Sequence, residues 1–79
     1  MRRHTPTKVD TNRELQHLAL KLKTLRDERG WSQTRLAAEA GIDRTIIVRI
    51  EQAERPPRFH QLIALHKALG VPRGSLLAA

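Results

Sequence analysis

Eleven arginines dominate the chemistry that this sequence can perform. They are most of its fifteen basic residues, which outnumber the eight acidic ones and give a net charge of +7. A guanidinium group donates paired hydrogen bonds to phosphate oxygens and to base edges. A basic domain of 79 residues is therefore expected to bind a polyanion. Nucleic acid is the first candidate, and an anionic membrane surface or an acidic protein ranks second.

Two of these arginines lie in a short segment near the middle of the chain. If the segment is helical, Ile47 and Ile50 anchor it to a core, because apolar residues three apart share one face. Four side chains then point outward, at the positions that would enter a major groove: Arg44, Thr45, Val48 and Arg49.

The residues around this segment predict how it is positioned. Ser32 is a suitable N-cap for a short helix, Gly41 can take the positive φ that reverses the chain, and Asp43 is the next N-cap. A short helix, a glycine-containing turn and a capped second helix form a helix-turn-helix unit. We place this motif at about residues 32–52.

The flanking sequence predicts further helices and no strands. Thr11 and Glu14 have capping-box spacing and lead into leucines at steps of three and four, so residues 11–79 are predicted to be the folded domain. Residues 1–10 have no such periodicity and are predicted to be a flexible basic arm.

After the central motif, a proline-rich segment precedes a fourth helix that includes Phe59 and ends at Gly70. Pro72 could open a fifth, short helix. The predicted fold class is all-α with about five helices.

These motifs together resemble the XRE family, also called the Cro/C1 type, which includes lambdoid phage repressors and restriction–modification controller proteins. The similarity extends from about residue 18 to residue 77. The resemblance implies a compact five-helix bundle of the lambda-repressor-like type that contains a helix-turn-helix.

The resemblance also implies roles for individual residues. Gln33 matches a glutamine that contacts phosphate and supports the recognition helix, and Arg55 and Arg58 lie in the loop that usually touches the DNA backbone. Arg26 and Glu51 match a pair that forms an internal salt bridge. The base-reading positions of the family correspond to the outward residues named above.

Three positions depart from the family pattern. Ala53 stands where glycine often closes the recognition helix, and Arg58 stands where serine or threonine often caps the next helix. Val48 replaces a common serine, which suggests an apolar contact with a thymine methyl group.

The resulting functional prediction is a sequence-specific DNA-binding transcriptional regulator, acting as a repressor. One recognition helix reads too few base pairs for specificity in a genome, so a homodimer on a palindromic operator is expected. Leu76 and Leu77 are the candidate dimer patch. The activity of such a regulator would be controlled by the amount of the protein or by a partner, as in restriction–modification controllers, phage switches and compact antitoxins.

The alternative is an antitoxin or adaptor that uses the same fold mainly to bind a protein. RNA binding ranks third, because only Trp31 and Phe59 could stack on bases. No nucleophile, phosphate-loop or metal-ligand motif is recognisable, so no enzyme activity, cofactor or metal is expected. The absence of cysteine and of any long apolar run predicts a cytoplasmic protein without a membrane span.

Overall fold

Four α-helices account for the fold of the part of the chain that the computed structural model describes, which is residues 8–72 and 74–76. In chain order they are α1 (Lys8–Glu28), α2 (Gln33–Ala40), α3 (Arg44–Glu51) and α4 (Phe59–Leu69). No strand occurs within the described residues. The all-α prediction is therefore confirmed for them, but the number of helices differs from the prediction.

The predicted fifth helix is wrong, because the chain forms a turn after Pro72. The backbone N–H and the hydroxyl of Ser75 both donate to the carbonyl oxygen of Pro72, at 3.1 and 2.8 Å. Gly74 has a φ of 90°, which a right-handed helix does not accommodate. The turn brings Leu76 back against the body of the domain, where it is fully buried.

The first helix starts earlier than its predicted cap. It begins at Lys8, so Thr11 lies within the helix and the Thr11–Glu14 box does not open it. A Thr-x-x-Glu sequence caps a helix only where the preceding chain leaves the helical path, and residues 8–10 continue that path. Most of the predicted basic arm, residues 1–7, lies outside the described residues.

The remaining caps follow the sequence prediction. The Ser32 hydroxyl accepts a hydrogen bond from the backbone N–H of Arg35 at 2.9 Å and so caps α2. Gly41 and Gly70 close α2 and α4 in the left-handed region, with φ values of 68° and 70°. These glycines end the helices without the steric penalty that a Cβ atom would bring.

One aliphatic core joins all four helices to the C-terminal turn. Its buried members are Leu18, Leu22, Leu36, Ala37, Ile47, Ile50, Leu65, Leu69 and Leu76. Phe59 belongs to the apolar residues of α4 in sequence, but it is 76% exposed. The core therefore depends on branched aliphatic side chains, and it holds α2 and α3 in the helix-turn-helix arrangement.

Candidate nucleic-acid interface

The start of α3 is fixed by Asp43 and by the core. Asp43 Oδ1 accepts from the backbone N–H of Thr45 at 2.9 Å, and the Asp43 carbonyl accepts from Ile46 N–H at 3.0 Å. One turn further on, Ile47 and Ile50 are buried. Cap and anchors together leave α3 little freedom to rotate about its own axis, so its outer face has a defined direction.

That outer face carries the predicted base-reading residues. Arg44, Thr45 and Arg49 are exposed, whereas Val48 is half-buried. In the described part of the chain, neither Arg44 nor Arg49 has a side-chain hydrogen bond or ion pair. Their guanidinium groups can therefore donate to an external acceptor without first breaking an internal bond. Contact of these four residues with bases remains a prediction.

Beneath α3 lies a polar cluster centred on Arg26 of α1. Arg26 Nε donates to Glu51 Oε2 at 2.7 Å and Arg26 Nη2 donates to Glu51 Oε1 at 3.0 Å. Arg26 Nη1 also donates to the Trp31 carbonyl oxygen at 2.7 Å and lies 3.4 Å from Asp27. The side chains of Arg26 and Glu51 are 10% and 4% exposed. The structure thus contains the internal salt bridge expected at these two positions.

The electrostatics of this cluster favour the charged state of Arg26. Hydrogen bonding to Glu51 raises the pKa of the Arg26 guanidinium, against the opposing effect of burial. The bidentate geometry satisfies both carboxylate oxygens of Glu51, so the buried charges are paired. The pair joins the end of α1 to the end of α3 and fixes their relative position.

Gln33 is the third member of this cluster. Its Nε2 donates to Glu51 Oε1 at 3.0 Å, and its side chain is half-buried. This bond connects the first residue of α2 to the last residue of α3, so Gln33 supports the recognition helix from below. A phosphate contact by Gln33 remains a prediction, and it would have to use the same amide that bonds to Glu51.

The loop after α3 begins with an unusual backbone conformation at Ala53. Its φ is 59°, in the left-handed region that glycine often occupies at this point of a helix-turn-helix domain. Ala53 N–H donates to Ile50 O at 3.0 Å and Glu54 N–H donates to Arg49 O at 2.9 Å. These bonds close α3 despite the missing glycine.

Arg55 and Arg58, the predicted phosphate contacts, follow in that loop on either side of two prolines. Arg55 is half-buried and Arg58 is exposed, and neither side chain has a partner within the described residues. The loop therefore carries two cations between α3 and α4. Whether they reach phosphates stays a prediction.

Sequence reasoning missed two polar interactions, one in α2 and one at the start of α4. Arg35 Nε donates to Glu39 at 2.8 Å, and the Arg35 guanidinium carbon lies 4.9 Å from the centre of the Trp31 ring. The four-residue spacing of Arg35 and Glu39 could have revealed the ion pair. Gln61, which is buried, accepts the backbone N–H of Arg58 at 2.8 Å. Its position three residues after the cap was the available signal.

The predicted dimer patch is wrong at Leu76. This side chain is fully buried in the core of its own domain, and its backbone N–H donates to His66 Nε2 at 3.3 Å. Leu77 lies outside the described residues. The large apolar side chains that the described surface does expose are Leu20 and Phe59.

Within the described residues, no group of three or more histidine or acidic side chains is placed to hold a metal ion. None of the described helices combines the length and the apolar character that crossing a membrane requires.

The helix-turn-helix family model HTH_3 matches residues 22–76. Over 61 residues the chain is 34% identical to the HTH-type transcriptional regulator SutR of Escherichia coli strain K12, a match that covers 77% of this chain. This chain spans only about a third (34%) of the length of that relative.

Two solved structures share the fold at 28% sequence identity. The restriction–modification controller protein C.AhdI from Aeromonas hydrophila superposes with a TM-score of 0.78, over 81% of this chain and 97% of that one. A hypothetical transcription factor, NHTF, from Neisseria superposes with a TM-score of 0.79, over 99% of this chain and 86% of that one.

Proposed function

Because this chain belongs to the helix-turn-helix family, we propose that it represses transcription by binding a palindromic DNA operator as a homodimer. The observation that carries the proposal is the outer face of α3. It presents Arg44, Thr45, Val48 and Arg49 from a helix held by a cap, two buried isoleucines and the Arg26–Glu51 pair. Such a preorganised, cationic face suits major-groove readout.

The family match and the similar proteins support DNA-binding regulation of transcription as the role. SutR is named as a transcriptional regulator, C.AhdI as a controller protein and NHTF as a transcription factor. The net charge of +7 adds a sequence-independent attraction to phosphate. This is a binding role, with no reaction for the domain to catalyse and no cofactor to hold.

A dimer is proposed because a single α3 reaches only a few base pairs. A two-fold symmetric dimer doubles the site and places the half-sites about one helical turn apart. Since Leu76 is part of the core, the dimer surface must use other residues. The lack of cysteine fits a reducing cytoplasm as the place where this regulator acts.

Enrichment of random DNA duplexes on the purified chain tests this function. We expect the recovered sequences to converge on a palindrome, and sedimentation to show two chains on each duplex. A reporter gene placed behind the recovered operator should be expressed less when the protein is present.

The matched control removes a charge from a different helix. Arg13 is exposed on α1, so Arg13→Ala lowers the net charge by the same amount as Arg44→Ala but should keep the preferred sequence. Failure to enrich any sequence would contradict sequence-specific binding and favour the protein-binding alternative. Enrichment with increased reporter expression would contradict repression only.

A further inference from the structure

The N-terminus of α4 is capped differently from those of α2 and α3. Ser32 and Asp43 cap their helices with their own side-chain oxygens, each at 2.9 Å from a backbone nitrogen. Arg58 occupies the same position before α4, and it makes no side-chain cap bond. A guanidinium has five donors and no acceptor, so it cannot satisfy a helical N–H group.

Gln61, at the third position of the helix, makes the reciprocal bond of a capping box, to the N-cap backbone. Its Oε1 accepts the backbone N–H of Arg58 at 2.8 Å. Gln61 is only 7% exposed, and burying an amide is unfavourable unless it is hydrogen-bonded. The bond to the Arg58 backbone therefore explains how a polar side chain is tolerated against the core at this point.

The backbone of Arg58 is consequently held from both sides. Pro57 precedes it with a φ that its ring restricts, and Gln61 holds its N–H group. Arg58 adopts an extended conformation, with φ at −72° and ψ at 161°. Its side chain is exposed and has no partner in the described residues.

Gln61 thus restrains the backbone of Arg58 without using the side chain of Arg58. In α2 and α3, the side chain that caps the helix is occupied by that task. At α4, the bond runs from the backbone N–H of Arg58 to Gln61, and the guanidinium of Arg58 stays available for an external anion. A cation on a fixed backbone loses less conformational entropy on binding than one on a mobile loop.

We propose that Gln61 is a positioning residue that holds Arg58 for contact with a DNA phosphate. This inference rests on the proposed function, because the anion is the operator backbone. It adds a residue that does not touch DNA, and it states how that residue contributes to affinity.

A double-mutant cycle in DNA binding tests the inference. The probe is the duplex that the wild-type chain selects, and the variants are Gln61→Met, Arg58→Ala and their combination. Methionine has a similar length to glutamine and no amide acceptor. We expect Arg58→Ala and Gln61→Met each to reduce the slope of log K against log salt by up to about one.

The combination is the informative variant. If Gln61 acts through Arg58, Gln61→Met should weaken binding up to about tenfold in the wild type, which is roughly 1.4 kcal/mol. It should have little further effect once Arg58 is alanine. Equal losses in both backgrounds would overturn the proposal and leave Gln61 a purely structural residue.

Stability controls keep the result interpretable. Binding is measured well below the melting temperature of each variant, and Ile63→Val provides a stability loss in α4 that leaves the Gln61 bond intact. If Gln61→Met does not fold, Gln61→Asn replaces it, because its amide is one methylene too short to reach the Arg58 N–H.

Two negative outcomes distinguish failure of this inference from failure of the proposed function. If Arg58→Ala leaves the salt slope unchanged while operator binding persists, there is no phosphate contact to position, and the inference fails alone. If the wild-type chain selects no duplex, the proposed function fails and the inference fails with it.

Discussion

The molecule uses arginine in two opposite ways on the two sides of α3. Arg26, below the helix, is buried and bonded to Glu51 and to the Trp31 carbonyl. Arg44 and Arg49, on the outer side, are exposed and have no side-chain partner in the described chain. Where water is excluded, a charge must be paired, and it then fixes the fold. Where water is present, an unpaired charge is tolerated and remains available for a ligand.

The largest effect is expected from removing one partner below the helix. Arg26→Ala or Glu51→Ala leaves a buried charge unpaired and should lower the free energy of unfolding by about 3 kcal/mol or more. In a domain of this size that is a large fraction of the total stability. Thermal and urea unfolding monitored by circular dichroism measures the loss.

Replacing both residues distinguishes the stability that the pair contributes from the cost of leaving one charge unpaired. Arg26→Met combined with Glu51→Leu should destabilise less than the sum of the two alanine variants, since neither charge is then left alone. Single variants that melt like the wild type would show that the pair makes no contribution, and the contrast between the two sides of α3 would disappear.

On the outer side the expected loss is in DNA binding and not in folding. Arg44→Ala should weaken binding to the selected operator by about 1–3 kcal/mol, because a guanidinium can donate to O6 and N7 of one guanine. Its melting temperature should match that of the wild type, since the side chain is exposed and unbonded. Competition with operators varied one base pair at a time measures the change.

The pattern of the loss distinguishes base reading from phosphate contact. Base reading by Arg44 requires a smaller loss on unrelated duplexes and wider tolerance at one base pair in each half-site. A uniform loss on every sequence would make Arg44 a phosphate contact and leave specificity to Thr45, Val48 and Arg49.

Ala53, in the loop after α3, tests whether a left-handed backbone conformation lowers the stability of the domain. Its φ of 59° is unfavourable for a residue with a Cβ atom. Ala53→Gly should therefore raise the free energy of unfolding by about 1 kcal/mol, less the extra entropy of glycine in the unfolded chain. Ala38→Gly, at an exposed position within α2, should lower stability by a similar amount. Destabilisation by both changes would contradict strain at Ala53.

The smallest effect is expected at Arg35, which has partners but is exposed. The side chains of Arg35 and Glu39 are 55% and 41% exposed, so water screens their bond and also the charge that Arg35 holds over the half-buried Trp31 ring. Arg35→Ala should change the free energy of unfolding by about 0.5 kcal/mol, measured by the same urea titrations. A loss comparable to that of Arg26→Ala would show that partners, and not burial, decide the contribution of an arginine.

Local signals predicted the elements around the recognition helix. Ser32, Gly41, Asp43 and Gly70 have the expected caps and turns because each acts through its own backbone or a neighbour within four residues. The Arg26–Glu51 pair is distant in sequence, and only the family resemblance indicated it.

The errors arose where tertiary contacts decide the outcome. An apolar residue near the C-terminus suits a core and a dimer surface equally well, and only packing shows that Leu76 is in the core. The resemblance implied that Gln33 supports the recognition helix, but the same limit hid Glu51 as its partner, because hydrogen-bonding partners from different helices leave no spacing pattern.

The burial of Leu76 affects when the domain can fold during its synthesis. The helix-turn-helix is complete in sequence by Gln52, but the core that supports it includes a residue made 24 positions later. While Leu76 is still inside the exit tunnel of the ribosome, the nascent chain cannot close this core. The support of the recognition surface is therefore incomplete until Leu76 has left the tunnel, so this surface finishes folding later than its own synthesis, by at least the 24 residues that separate Gln52 from Leu76.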